Sequence, residues 1–112
     1  MALNELVCFA RHSETLEWHA VHAEGDGFRA VASVPDGQWV PVAEPGFQPT
    51  HVHYKGGLYR VERQGRIDGE TQEMTLYRDG KGNWWLRPRV MFEESLADGR
   101  PRFAPFQSPH CL

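Results

Sequence analysis

An all-β fold built from short strands and tight turns is predicted, and three observations carry it. Asp-Gly recurs at Asp26-Gly27, Asp36-Gly37, Asp68-Gly69, Asp79-Gly80 and Asp98-Gly99. Asp tolerates the left-handed region and bonds its own backbone while Gly supplies positive φ, so runs punctuated this way read as hairpins. Between the turns the side chains alternate with period two, as in Leu16, Trp18 and Ala20 on one face with Glu17 and His19 on the other; that is a strand period. No run shows a persuasive 3.6-residue period, so only a small β architecture fits.

Taken in order, strands are expected at Leu6 to Ala10, Thr15 to His22, Phe28 to Val34 and Gln38 to Val42. Pro45 to Pro49 interrupts, because two prolines and a glycine in five positions remove donors and fix φ. Strands resume at His51 to Tyr54, Leu58 to Gln64, Glu73 to Tyr77 and Trp84 to Arg87. A single helical turn from Arg89 to Glu94 follows Pro88, since Pro suits a first helical position. The tail from Arg100 to Leu112 carries Pro101, Pro105 and Pro109 and reads as extended.

A chain of 112 residues holds one ordinary domain or two very small ones, and halves that small must pack on each other or on a second chain. A homo-oligomer therefore stays open. Twelve basic and 15 acidic residues give a net charge of -3, which offers no basic field for phosphate backbones and makes nucleic acid an unfavoured partner. Cys8 and Cys111 form neither a metal-ligand pair nor a disulfide framework, so both read as free thiols of a cytoplasmic protein. The start of the chain lacks a basic leader segment, and no apolar run approaches a membrane span.

Self-similarity appears between the halves. Arg11-His12-Ser13-Glu14-Thr15-Leu16-Glu17 resembles Arg66-Ile67-Asp68-Gly69-Glu70-Thr71-Gln72-Glu73, and each is followed by turns and then a Trp-x-Pro or Trp-x-x-Pro strand, at Trp39 or Trp85. Two related β units packed together would account for this.

Tyr54-Lys55-Gly56-Gly57-Leu58-Tyr59-Arg60-Val61, then Glu70-Thr71, Trp85-Leu86-Arg87-Pro88, Met91-Phe92-Glu93 and Pro101-Arg102-Phe103, taken in that order, resemble a bacterial family known as domain of unknown function 1653 over about His51 to Phe103. The family's segment Ala-Arg-His-Ser-Glu-Thr departs here to Gly65-Arg66-Ile67-Asp68-Gly69-Glu70-Thr71, yet stands intact at Ala10 to Thr15. The resemblance implies an SH3-like barrel or roll for residues 49–112, with residues 1–48 an N-terminal β unit that is a degenerate copy. It implies no activity and no cofactor.

The candidate site is therefore argued from residues. Glu70 with Arg66, Arg87 and Arg89 suggests a carboxylate held by guanidinium forks, with Glu70 pairing Arg87 across adjacent strands; alternatively Arg87 is a free fork for an anion. Tyr54, Tyr59, Trp84 and Trp85 suggest an aromatic surface, and because adjacent residues of a strand face opposite sides, one tryptophan must be exposed or covered by another element. His51-x-His53 places two imidazoles on one strand face, a start for a metal site without a third ligand fixed by spacing. The serines lack a nucleophile elbow. A non-catalytic module that binds a protein segment or a small anionic ligand is the leading expectation. A small enzyme using His51, His53 and nearby carboxylates is the alternative, and nucleic-acid binding through stacked aromatics is a weaker third.

Overall fold

The structure, a computed structural model, describes residues 5–106. Its elements are β1 (Leu6–His12), β2 (Trp18–Glu24), β3 (Gly27–Ala30), β4 (His51–His53), β5 (Leu58–Ile67), β6 (Met74–Asp79), β7 (Trp84–Pro88), α1 (Arg89–Phe92) and β8 (Phe103–Pro105). Two antiparallel meanders, β1-β2-β3 and β5-β6-β7, join through the parallel pairings β1–β7 and β3–β5. The six strands thus close on themselves, which leaves no free edge in the ring. β4 and β8 extend the sheet beyond β5. The small β architecture expected from the turns and alternation forms, and it closes as a small barrel of the kind the resemblance implied.

The two meanders occupy equivalent places. Each first strand carries an irregularity, between Leu6 and Cys8 in β1 and between Val61 and Arg63 in β5. Beyond it, Ala10 lies opposite His19 as Gly65 lies opposite Met74. The seams agree as well: Arg11 and His12 lie beside Trp85 and Leu86, and Arg66 and Ile67 lie beside Arg29 and Ala30. Strand β5 runs through Ile67, three residues beyond its expected end, because its last residues pair with β3. At that seam the backbones approach closely: a Cβ on Gly65 would stand 2.2 Å from the Phe28 carbonyl oxygen, and one on Gly27 would stand 2.4 Å from that of Gln64. Only glycine fits such contacts.

The ring is filled by Cys8, Ala10, Val21, Phe28, Ala30, Ile67, Met74, Leu76 and Leu86, all buried. A second apolar layer of Tyr77, Phe92 and Phe103, with Tyr59, Val61 and Trp85 against it, lies on the second meander. α1 packs on β6 and β7, and β4 and β8 attach through β5. The helical turn expected after Pro88 is present and supplies Phe92 to this layer.

Two expectations are corrected. Gln38 to Val42 forms no strand: no neighbouring strand receives it, Pro41 lacks a donor, and Val40 and Val42 stand exposed. The segment is instead a strap laid on the β6–β7 turn. Trp39 packs on the ring's core and donates Nε1–H to the Gly82 carbonyl at 2.8 Å, while Glu44 N–H bonds the Gly80 carbonyl at 2.9 Å. Arg78 clamps the strap, pairing with Glu44 and with Glu62 (2.5 Å) and lying 5.4 Å from the ring centroids of both Phe47 and Trp84. The tail is also more than an extended cover, because Phe103 to Pro105 pairs with His53 to His51 as β8. Pro109 and Cys111 lie outside the described residues.

Candidate functional site

The register of β6 and β7 decides what faces the second layer. Met74, Leu76 and Leu86 point into the ring, so the alternation of a pleated strand turns Tyr77, Trp85 and Arg87 to its other side. The two tryptophans are thereby divided, as adjacency required. Trp84 packs on the ring's core beneath Arg78 and Trp85 packs on the aromatic layer, so Trp84 does not share a face with Arg87.

Phe92 stacks on Phe103 with centroids 4.1 Å apart, and Tyr77 meets both rings edge-on at 5.3 and 5.5 Å. Tyr59 closes on Tyr77 at 5.5 Å, His51 on Phe92 at 5.4 Å and His53 on Phe103 at 4.9 Å. Such tilted and edge geometries suit aromatic quadrupoles and rigidify the layer. Arg87 lies at its rim, its guanidinium 5.4 Å from the Phe103 centroid and its Nε–H donated to the Tyr77 hydroxyl at 3.1 Å. Among the described residues, no carboxylate stands within ion-pair distance of Arg87.

The expected Glu70–Arg87 pair is corrected accordingly. The register sets Thr75 opposite Arg87, while Glu70 stands exposed in the β5–β6 turn, outside the strands and without an ion pair to Arg87. Arg89 takes the carboxylates expected of its neighbours, Glu73 at 2.9 Å and Glu93 at 3.1 Å. Arg66 is exposed at the seam beside Arg29.

The Tyr-Lys-Gly-Gly segment makes the tight β4–β5 turn. His53 N–H bonds the Gly57 carbonyl at 2.7 Å and Gly56 adopts φ +103°, a conformation natural to glycine. This turn lifts Tyr54 into solvent between two cations, with Lys55 Nζ 5.7 Å and the Arg102 guanidinium 5.9 Å from its ring centroid. Arg102 is neutralised by Glu94, which accepts from Nε and Nη2 at 3.0 and 2.5 Å. Lys55, like Arg87, has no carboxylate at ion-pair distance among the described residues.

Burial lowers the pKa of His53, and the charges of Arg87, Arg102 and Lys55 lower it further. Its Nδ1 accepts the Lys55 N–H at 3.1 Å, so the neutral ring carries its proton on Nε2. His51 is lowered by burial alone. Burial raises Tyr77, against the opposing charge and hydrogen bond of Arg87, and raises Tyr59 together with the charge of Asp79. The site is therefore a neutral aromatic floor with a cationic rim. Among the described residues, no group of three or more His, Cys, Asp and Glu side chains is arranged to hold a metal ion.

Sequence reasoning named Tyr54, Tyr59, Trp85 and Arg87, and the fold brings these to one side of the second meander. It missed Tyr77 and the joint presence of His53, Phe92 and Phe103. The available signal was the set of motif segments themselves: Lys55, Arg87, Phe92, Arg102 and Phe103, scattered over 49 positions, come from the stretches that carry the resemblance, and they converge.

A second polar cluster lies inside the first meander. His12 Nδ1 accepts the N–H groups of Glu14 and Thr15 at 3.1 and 3.3 Å, and His19 Nδ1 donates to the Val31 carbonyl at 2.8 Å. The rings lie 6.2 Å apart. Burial lowers the pKa of His12, with Glu14 opposing and His19 reinforcing the shift. His19 Nε2 and the Ser13 hydroxyl are buried without a hydrogen-bond partner among the described residues.

Residues 49–105 match the family described as protein of unknown function (DUF1653). No curated protein and no solved structure matches the chain.

Proposed function

We propose that this chain, which belongs to the DUF1653 family of proteins of unknown function, is a non-catalytic module that binds an anionic group borne by a protein segment or a small molecule. One observation carries the reading: the Arg87 guanidinium is fixed by Tyr77 and Phe103 and, among the described residues, has no carboxylate partner. A cation oriented in advance, on a floor of low polarity, loses little freedom when an anion arrives and interacts with it more strongly than a solvated lysine does. Tyr54 and the Lys55 ammonium widen the same face.

Part of the same proposal is that the meanders β1-β2-β3 and β5-β6-β7 are copies of one unit. The agreement of their registers supports this, and so does Arg11 falling at the position of Arg66. Cytoplasmic residence is proposed on the buried, unpaired thiol of Cys8, whose pKa burial raises. No helix among the described residues is long and apolar enough to cross a membrane.

The test is a titration of the full chain, followed by tryptophan fluorescence, with an Asp/Glu-rich peptide and with its Asn/Gln counterpart. The acidic peptide is expected to bind, weakening as salt rises, and Arg87→Gln to lose about tenfold or more in affinity. Equal binding of the two peptides, or unchanged binding by Arg87→Gln, overturns the reading.

A further inference from the structure

We infer that the anion this face takes is a phosphoryl dianion, free or as a monoester; the inference rests on the binding role proposed above and narrows it. Charge bookkeeping carries it. Of the cations around His53, Arg102 is neutralised by Glu94, and its neighbour Arg100 pairs with Asp98 at 2.7 Å. Arg87 and Lys55 remain, two positive charges with no carboxylate at ion-pair distance among the described residues. A monocarboxylate would leave one of them uncompensated on a partly desolvated surface, whereas a dianion matches both.

The donors agree with the charge. Arg87 has spent Nε on Tyr77, which leaves the outer edge of its guanidinium. His53 carries its N–H on Nε2, because the Lys55 backbone N–H occupies Nδ1. Lys55 adds an ammonium on a flexible stem. A planar fork, a single N–H and a mobile point charge suit an acceptor with oxygens in several directions, which a tetrahedral phosphoryl group offers and a planar carboxylate does not.

The experiment is a set of ¹⁵N-resolved NMR titrations of the full chain at pH 7.5 with inorganic phosphate, sulfate, acetate and N-acetyl-phosphoserine methylamide. Phosphate and sulfate are expected to bind about tenfold or more tighter than acetate, as two charges against one require. Lys55→Gln is expected to weaken phosphate and sulfate more than acetate and so to remove most of that preference; being exposed, it tests the charge count even if Arg87→Gln disturbs the fold. Phosphoserine matching or exceeding phosphate supports the dianion equally and tells whether the ester's carrier is held. Acetate binding as tightly as phosphate overturns the dianion inference and leaves the anion-binding role standing. Binding of none of the four, together with failure of the acidic peptide, overturns both.

Discussion

The two meanders hold equivalent places in one ring and use their faces in opposite ways. The second fills its inner positions with apolar groups, Ile67 and Met74, and carries an aromatic layer and the Arg87 rim on its outer face. The first places His12 and His19 at the corresponding inner positions and receives neither β4, β8 nor α1 by strand pairing or as a packed cover. The lesson is that closing a ring constrains register and buried volume, while what grows outside the ring is free to differ. A second layer attached to one meander alone creates the only place where a floor of stacked rings meets a cationic rim among the described residues.

Removing the layer should break this contrast most strongly. Phe103→Ala deletes a ring that touches Phe92, Tyr77, Tyr59 and His53 and holds Arg87. A loss of about 3–5 kcal/mol is expected in urea denaturation, with the near-ultraviolet signal of the aromatics collapsing while the far-ultraviolet strand signal remains.

The seams offer a finer comparison. Gly65 and Ala10 are equivalent in register, yet a Cβ is tolerated at Ala10 and would collide with backbone at Gly65. Gly65→Ala should cost about 1–3 kcal/mol by overpacking the β3–β5 seam, and Ala10→Gly only about 0.5–1 kcal/mol from backbone entropy. Equal costs by thermal unfolding would mean that the seams do not differ as described.

Acid should sharpen the difference between the inner faces. His12 has a folded pKa below its ordinary 6.5, so the unfolded chain takes up its proton first as pH falls. Its contribution to stability is whole above 6.5 and is lost progressively as pH drops from there through the lower folded value. His51 and His53 act with the same sign. Replacing His12→Ile together with His19→Met imports the side chains of the second meander, and the fall in stability below pH 6.5 should then be shallower than in the native chain. An unchanged slope would remove His12 from the account.

Arg87→Gln should matter least to stability, within about 1 kcal/mol, since it removes one cation–π contact and one hydrogen bond at a partly exposed position. Its effect should fall on binding.

Much of the ring was legible because Asp-Gly turns and alternation are local signals: β1, β2, β4, β6 and β7 lie within or close to the stretches those signals mark. The parallel seams were not, since periodicity says how a strand alternates and nothing of which strand lies beside it. The same blindness produced the error at Gln38 to Val42, whose alternating Trp39, Pro41 and Val40, Val42 look strand-like although no partner receives them. It also hid β8, whose prolines suggested an extended tail without naming a strand partner, while Ala104 pairs with Val52. At the site, Arg87 was visible as an arginine in a distinctive motif, but its partner depends on register: Thr75 sits opposite, Tyr77 one step along the same face, and Glu70 beyond reach. Trp84 and Trp85 could be divided by adjacency alone, whereas which of them joined the site required knowing which face the ring encloses.

The comparison stands or falls on where an anion lands. Chemical-shift mapping of the full ¹⁵N-labelled chain against an acidic peptide reads this directly. The account predicts shifts concentrated at His53, Lys55, Arg87 and Phe103, abolished by Arg87→Gln and absent from the first meander. Shifts centred instead on Arg11, Arg29 or Arg66, or persisting undiminished in Arg87→Gln, would contradict it.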